Sequence, residues 1–152
     1  AGTEVDSAIG FLMYDGTIKA SDGVSDLAFE NAAADSYYVI IYTRNNLSVM
    51  SVRKVDFNSG TSELYDFTDA EGRAYGGAPA MVLVSGVYCI PLADVNQNKY
   101  VNAQDIALVK AAAMTGAAGY EVTDVNYNTA VNAQDIALTK VNAAAGYQSF
   151  VP

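Results

Sequence analysis

The 152-residue chain contains no histidine, no tryptophan and one cysteine, Cys89. The absence of histidine excludes imidazole acid–base catalysis, Ser-His catalytic triads and histidine-ligated zinc sites. A single cysteine cannot form a disulfide within the chain, and the apolar neighbours in VYCIPL predict a buried structural thiol. These absences argue against the common classes of hydrolase.

Basic residues are also scarce, since 8 Lys and Arg stand against 17 Asp and Glu and the formal net charge is -9. Such a charge repels nucleic acid and anionic lipid, and no Lys/Arg cluster offsets it. A cation or a basic protein surface is the better partner. No run of 18 apolar residues and no basic-then-apolar amino terminus is visible, so neither a membrane span nor a signal peptide is predicted. The start AGTEVD is typical of a mature or excised fragment.

Two compositions meet near Pro91, and we predict two modules, residues 1–91 and residues 92–152. In the first, short stretches rich in Tyr, Val and Ile alternate with turn residues, which is typical of an all-β module. Strands are predicted at 9–14, 24–31, 36–43, 47–57, 63–67 and 80–89. Asn45 and Asn46 separate two of them and predict a tight hairpin turn, because Asn tolerates positive φ.

The stretches YYVIIYTRNNLSVMSVRKVDF and AMVLVSGVYCIPL resemble, in their pattern, the immunoglobulin-like modules of surface and secreted proteins of Gram-positive anaerobes. The resemblance implies a small β-sandwich that acts as a spacer or packs against a neighbouring module. Tyr37, Tyr38 and Tyr42 lie in one predicted strand, with the last two on the same face. A sandwich core or sheet surface explains them, and a carbohydrate-binding surface is the alternative.

After Pro91 the chain repeats itself at an offset of thirty residues. Residues 94–110, DVNQNKYVNAQDIALVK, and residues 124–140, DVNYNTAVNAQDIALTK, are identical at 13 of 17 positions. The four differences are Gln97/Tyr127, Lys99/Thr129, Tyr100/Ala130 and Val109/Thr139. We infer a duplicated unit.

Asp and Asn occupy positions 1, 3, 5, 9 and 12 of each copy. In an EF-hand loop these positions, together with the main-chain carbonyl of position 7, supply hard oxygen ligands to Ca²⁺. The pattern therefore predicts two calcium sites. The candidate ligands are Asp94, Asn96, Asn98, Tyr100, Asn102 and Asp105 in the first loop, and Asp124, Asn126, Asn128, Ala130, Asn132 and Asp135 in the second.

An apolar helical pattern follows each loop, in IALVKAAAM and IALTKVNAA. One broad face of each predicted helix is apolar: Ile106, Leu108, Val109 and Ala112 in the first copy, and Ile136, Leu138, Val141 and Ala145 in the second. Val101 and Val131, at position 8, are expected to pair the two loops through a short strand. Neither copy shows a helix ahead of its loop, so each unit is a loop followed by a helix.

This combination resembles the dockerin family, the calcium-binding modules that attach enzymes and scaffolding proteins to cohesin modules in bacterial cellulosomes. The resemblance begins at residue 92. It implies a non-catalytic, all-α module of three helices with two Ca²⁺ ions, secreted or at the cell surface, monomeric when unbound, with a scaffoldin cohesin as partner. The cohesin-facing residues it implies are Ala103, Gln104, Lys110, Ala111 and Thr115 in the first copy, and Ala133, Gln134, Lys140, Val141 and Ala145 in the second.

Because Ala-Gln and Lys recur in both copies, a cohesin is expected to bind in two orientations related by a half-turn. The difference between Ala111 and Val141 makes this symmetry imperfect. The adaptor role is our leading interpretation. The alternative is a carbohydrate-binding or cell-surface module that carries a structural calcium repeat.

Each loop departs from the family pattern at two positions. Position 6 is usually Gly, whereas Lys99 and Thr129 stand there and must adopt a positive φ, at a cost of ~1–3 kcal/mol per site. Position 5 is usually Asp, whereas both copies carry Asn, which leaves two side-chain carboxylates per loop. We therefore expect weak calcium binding, weaker in the loop that contains Thr129.

Two readings without calcium stay open. Asn102 and Asn132 are good helix N-caps with an Asp three residues on, so part of the pattern starts helices. Alternatively, the repeat is a former calcium module that is now held together by packing and Asn hydrogen bonds.

Overall fold

The computed structural model describes residues 2–60 and 62–152, and its regular elements are short strands followed by two helices. The strands are β1 Phe11–Leu12, β2 Ile18–Lys19, β3 Ser36–Tyr37, β4 Ile40–Ile41, β5 Val49–Met50, β6 Val55–Asp56, β7 Val82–Val84 and β8 Val87–Cys89. Single 3₁₀ turns span Glu71–Arg73 and Ala78–Ala80, and the α-helices are α1 Ala103–Met114 and α2 Ala133–Ala145. No helix in the described ranges is long and apolar enough to cross a membrane.

The described residues form two compact units. One comprises residues from Ala1–Ser36, Asp56–Ser62 and Pro152, and the other comprises Tyr37–Val55 and Glu63–Val151. The second unit thus contains both repeats together with much of the stretch that precedes them. A module boundary after residue 91 remains a prediction.

The first unit is built from local turns around one small hairpin. In this hairpin β1 pairs with β2 in antiparallel fashion, with Phe11 opposite Lys19. The connecting turn is held by Asp15, whose carboxylate accepts hydrogen bonds from the N–H and the hydroxyl of Thr17 at 3.0 and 2.7 Å. Several apolar side chains stay in solvent, among them Ile9 at 91% exposure.

The immunoglobulin-like sandwich is not confirmed. Every sheet among the described residues has two strands, and the segments 24–31 and 63–67 form no continuous strand there. A sandwich needs two sheets that bury their inner faces against each other. Here Val24 and Leu64, in the two missing strands, are 77% and 87% exposed, so the expected inner faces do not form.

The hairpin predicted around Asn45 and Asn46 exists, but its turn differs from the prediction. β4 pairs with β5 in antiparallel fashion, with Ile40 opposite Met50. The connection is a long loop, and neither Asn adopts the positive φ of a tight turn. Both are buried instead, with Asn45 at 0% exposure. A tight two-residue turn is therefore wrong, because these side chains point into the protein.

The second unit has two apolar cores. One surrounds Val49 and Met81, and Phe150 packs against it. The ring of Phe150 lies only 2.1 Å from where a Cβ on Gly76 would stand, and Gly76 has φ +102°, so glycine is required there. The other core is built from both repeats plus two residues that precede them, Leu47 and Ala93. Its members are Leu47, Ala93, Val95, Val101, Val109, Val125 and Val131.

The buried stripe of each helix is narrower than the sequence predicts. Asp105 and Val109 are buried in α1, and Asp135 and Thr139 in α2. The Thr139 hydroxyl donates to the main-chain oxygen of Asp135 at 2.8 Å, which satisfies it without a side-chain partner. The stripe follows the i, i+4 spacing from position 12 of the loop.

The predicted apolar face was therefore wrong for part of each helix. Leu108, Leu138 and Val141 are 45%, 36% and 66% exposed, and Ala145 is exposed as well. These positions lie away from the stripe that begins at the loop carboxylate, so they remain at the surface.

The two loops do not pair with each other, contrary to the expectation for Val101 and Val131. The N–H of Val101 donates to Tyr147, which follows α2, at 3.3 Å. The N–H of Val131 donates to Ala117, which follows α1, at 2.9 Å. Each loop thus pairs with the segment that follows the helix of the other copy, and this exchange interlocks the repeats.

The described part of the chain contains two α-helices where the family resemblance implies three. The segment between α1 and the second loop carries Gly116 and Gly119, both at positive φ, which interrupts helical structure. The segment that follows α1 lies in this region instead and pairs with the second loop.

Leu47→Ala tests whether the preceding stretch belongs to the core of the repeats. Leu47 is fully buried, so we expect its truncation to lower the free energy of unfolding by about 3 kcal/mol. The matched control is Leu64→Ala in the same unit, where the side chain is 87% exposed. Equal effects of the two changes in chemical denaturation would show that Leu47 is not a core residue.

Candidate metal centre

The first loop winds around the carboxylate of Asp94, its first position. That carboxylate accepts hydrogen bonds from the N–H groups of Asn98 and Lys99 at 3.0 and 3.1 Å. The amide oxygen of Asn96 accepts from the N–H of Asn98 at 3.1 Å, and that of Asn98 from Tyr100 at 3.0 Å. The side-chain oxygens of positions 1, 3 and 5 therefore all point toward main-chain N–H groups of the same loop.

The second loop repeats these bonds. The Asp124 carboxylate accepts from Asn128 and Thr129 at 3.1 and 2.8 Å. The amide oxygens of Asn126 and Asn128 accept from the N–H groups two residues further on, at 3.0 Å each. The copies thus share one loop conformation although they differ in sequence at positions 4, 6 and 7.

The last ligand position closes the loop onto its beginning. Asp105 accepts from the N–H of Val95 at 3.0 Å through one oxygen and from that of Asn102 at 2.9 Å through the other. Asn102 in turn caps α1 by accepting from the N–H of Gln104 at 2.8 Å. The second copy has the same capping box and the same bond across the loop.

The predicted helix N-caps at Asn102 and Asn132 are confirmed. A capping box explains the bonds between positions 9 and 12. It does not explain why Asp105 also reaches Val95 at the start of the loop, nor why positions 1, 3 and 5 fold inward. Asp105 therefore both completes the helix cap and closes the loop, and Asp135 does the same in the second copy.

Position 6 adopts the backbone conformation expected of a glycine. Lys99 and Thr129 have φ of 75° and 71°, and Gln97 and Tyr127, at position 4, have φ of 56° and 60°. At positions 4 and 6 of each loop, residues other than glycine therefore adopt the positive φ. The strain is larger for Thr129, because its branched Cβ crowds the backbone.

The loop carboxylates are buried without a basic partner. Asp94 and Asp124 are 2% exposed, and Asp105 and Asp135 are 0% exposed. Burial raises the pKa of the Asp94 carboxyl above its ordinary value, and the negative charge of Asp105 acts in the same direction. Among the described residues, the ion pairs involve none of these four carboxylates. Each loop thus holds two desolvated negative charges that a cation would neutralise.

The donor set fits a hard divalent cation. Each loop offers carboxylate, amide and main-chain oxygens, which are the ligands that Ca²⁺ takes, and most of these oxygens keep a lone pair beyond the bonds described above. Within the described ranges no three acidic, histidine or cysteine side chains cluster as a metal site. Asn fills three of the five side-chain positions in each loop, so each site carries two negative charges only.

Gln104 and Gln134 have a role in the loops that sequence reasoning missed. The Gln104 amide oxygen accepts from the Nδ2 groups of Asn98 and Asn96 at 2.9 and 3.3 Å, and that of Gln134 accepts from Asn128 at 3.2 Å. These bonds orient each Asn amide so that its nitrogen faces the Gln side chain and its oxygen faces the main chain of the loop. The signal was present, since Gln recurs at position 11 of both copies.

Residues 92–142 match the family model of the Dockerin type I domain. The match covers both loops, α1 and most of α2. Dockerin type I domains are non-catalytic docking domains that generally bind calcium and attach to cohesin modules in cellulosome-like assemblies. No curated protein and no solved structure gives a significant match to this chain.

The dockerin match includes nearly all residues that we expected to face a cohesin. All ten are exposed: Ala103, Gln104, Lys110, Ala111 and Thr115, and Ala133, Gln134, Lys140, Val141 and Ala145. The two copies expose and bury equivalent positions throughout residues 101–116 and 131–146. The helices therefore present two similar surfaces.

Thr129→Gly is expected to stabilise the calcium-free protein. Glycine adopts φ near 71° without a Cβ clash, so we expect the free energy of unfolding to rise by about 1 kcal/mol. The control is Thr115→Gly, where φ is -89°. Glycine there adds flexibility to the unfolded chain and removes the hydroxyl bond to Ala112 at 2.9 Å, and both effects lower stability. Denaturation curves in chelator measure both, and a loss of stability in Thr129→Gly would contradict the assignment of strain to position 6.

Proposed function

We propose that this chain is a non-catalytic adaptor that docks its parent protein to a cohesin module, through a dockerin whose two loops each bind a Ca²⁺ ion. The observation that carries the proposal is the shared loop conformation of both copies. In each, the buried Asp at position 1 gathers the turning backbone while the Asp at position 12 closes the loop. The family match to residues 92–142 supports the same reading.

The residues that would hold the first ion are Asp94, Asn96, Asn98, Asn102 and Asp105, with the main-chain oxygen of Tyr100. Those that would hold the second are Asp124, Asn126, Asn128, Asn132 and Asp135, with the main-chain oxygen of Ala130. When bound, the ion supplies the positive charge that the buried carboxylates lack. The chain itself fixes the oxygens in one loop conformation and begins a helix at position 10, directly after the N-cap at position 9.

Calcium binding is expected to be weak for two reasons, one electrostatic and one conformational. Asn at position 5 removes one negative charge from the bound site, which lowers the attraction for the ion. The strained φ at position 6 raises the free energy of the folded loop. The site with Thr129 is the weaker of the two, because a β-branched residue is least suited to that conformation.

The exposed faces of α1 and α2 are the proposed docking surfaces. Each presents a Lys beside a small or apolar residue, Lys110 with Ala111 and Lys140 with Val141, on a chain that is otherwise strongly acidic. Leu108 and Leu138, also partly exposed, add apolar area that a partner would bury. Since the copies expose equivalent positions, either helix can offer nearly the same surface to one cohesin.

We assign the residues ahead of the dockerin to spacing and bracing, and the location to an extracellular, cell-surface assembly. This assignment rests on the family match and on the packing of Leu47 with the repeats. A carbohydrate-binding role for Tyr38 and Tyr42, which are 51% and 65% exposed, is the competing function. Binding to a glycan array without binding to any cohesin would favour it.

Calcium titration of the full chain by isothermal calorimetry tests the metal sites. We expect two binding events in the unaltered protein, and one in each of the variants Asp94→Ala and Asp124→Ala, because each removes the carboxylate that organises one loop. Asp26→Ala is the control, since this Asp lies outside the repeats with its side chain 93% exposed. Absence of calcium-dependent heat in the unaltered protein would remove the metal from the account.

Cohesin binding tests the two docking surfaces. We expect the pair Lys110→Glu with Ala111→Glu, or the pair Lys140→Glu with Val141→Glu, to weaken binding by about twofold, because one of two equivalent orientations is lost. The four changes together should abolish binding. Affinities against a panel of cohesins, with calcium and with chelator, give the answer, and complete loss from changes in one helix alone would exclude interchangeable surfaces.

A further inference from the structure

The segment Arg44–Leu47, which we call the strap, lies outside the dockerin match yet is buried against both loops. It connects β4 to β5 in the same compact unit as the repeats. Asn45 and Leu47 are 0% exposed and Asn46 is 7% exposed. Two adjacent buried amides are unusual, because an Asn side chain is costly to bury unless its donors and acceptors are bonded.

The main chain of the strap fastens the beginning of the first loop. The main-chain oxygen of Asn45 accepts from the N–H of Ala93 at 2.8 Å, and the N–H of Leu47 donates to Pro91 at 3.0 Å. Ala93 immediately precedes Asp94, the first ligand position. The strap therefore holds the chain where it enters the first loop.

The side chain of Asn45 fastens the beginning of the second loop. Its Nδ2 donates to the main-chain oxygens of Val122 and Asp124 at 3.0 and 3.1 Å. Its Oδ1 accepts from the hydroxyl of Tyr127 at 2.6 Å. One buried residue thus bonds to the backbone at the first position of one loop and just ahead of the first position of the other.

Position 4 of both loops reaches the same strap with different chemistry. The Gln97 amide donates to the main-chain oxygens of Arg44 and Asn46 at 3.3 and 3.4 Å. The single proton of the Tyr127 hydroxyl is shared between the Oδ1 of Asn45 at 2.6 Å and the Oδ1 of Asn46 at 3.1 Å. Because the strap is a single segment between two related loops, it cannot meet both in the same way. This accounts for one of the four differences between the copies.

An aromatic contact extends the attachment to the second loop. The Arg44 guanidinium lies 3.7 Å from the ring centroid of Tyr120 and 5.7 Å from that of Tyr127, which is within cation–π range. The ring and the hydroxyl of Tyr127 both hold the strap.

We propose that Asn45 and Tyr127 are positioning residues for the second calcium loop, and that the strap is part of the metal-binding module. The calcium part of this inference rests on the proposed function. Residues that orient metal ligands without touching the metal commonly change metal affinity by tenfold or more when they are replaced. Here they fix the backbone of Asp124, whose carboxylate gathers the N–H groups of Asn128 and Thr129.

Tyr127→Phe in the full chain is the test, with Tyr65→Phe as matched control. Both remove one tyrosine hydroxyl with bonds inside the same unit, since the Tyr65 hydroxyl donates to Arg73 at 2.6 Å and accepts from Val52 at 3.0 Å. In calcium-free protein, NMR hydrogen exchange at Asn128 and Thr129 should become about tenfold faster in Tyr127→Phe. It should stay unchanged in Tyr65→Phe.

Calcium titration followed at the amides of each loop gives the second readout. In Tyr127→Phe the dissociation constant of the second loop should rise about tenfold, and that of the first loop should change less. Asn45→Leu removes three side-chain hydrogen bonds and should have a larger effect. If that variant fails to fold, Tyr127→Phe alone decides.

Equal changes at the second loop in Tyr127→Phe and Tyr65→Phe, or no change in either, would overturn the positioning role. A different result separates the two proposals. If the unaltered protein shows no calcium-induced shifts, the calcium function is wrong, and the exchange rates in calcium-free protein still decide whether Tyr127 holds the loop.

Discussion

Each repeat depends on two buried carboxylates that bind main-chain N–H groups of their own loop. Asp94 gathers the turn at positions 5 and 6, and Asp105 joins the beginning of the loop to its end. These bonds shape the loop and start the helix, since position 12 is also the third residue of α1. They also leave the two carboxylates of each loop buried and without a neighbouring basic side chain. A bound cation would neutralise them.

The second consequence of the duplication is that neither repeat is complete alone. The segment after each helix pairs with the loop of the other copy, so the N–H of Gly119 donates to Thr129 and that of Ser149 to Lys99, at 2.8 and 2.9 Å. An ion held in one loop would therefore act on a strand-like contact that involves the other repeat. The arrangement holds the two helices with similar faces exposed, and the strap adds contacts that differ between the two loops.

The local parts of this structure could be predicted from the sequence. The 3.6-residue pattern and the caps at Asn102 and Asn132 placed both helices, and the EF-hand spacing placed the carboxylates. The non-local parts could not. Nothing near Leu47 indicates that it packs with the repeats, and the pair Asn45-Asn46 reads as a turn because its hydrogen-bond partners lie far along the chain.

The helix faces show a related limit, because apolar character alone does not distinguish a core position from a binding surface. The sequence places Val141 both on the predicted apolar face of the second helix and among the cohesin-facing residues.

The most direct measurement is a crystal structure of the full chain grown with calcium, with the anomalous signal recorded. The account predicts one peak inside each loop, with oxygens of the Asp and Asn positions and of the residue 100 or 130 main chain at about 2.3–2.6 Å. Two loops in the same conformation with water or nothing at their centres, at saturating calcium, would contradict it.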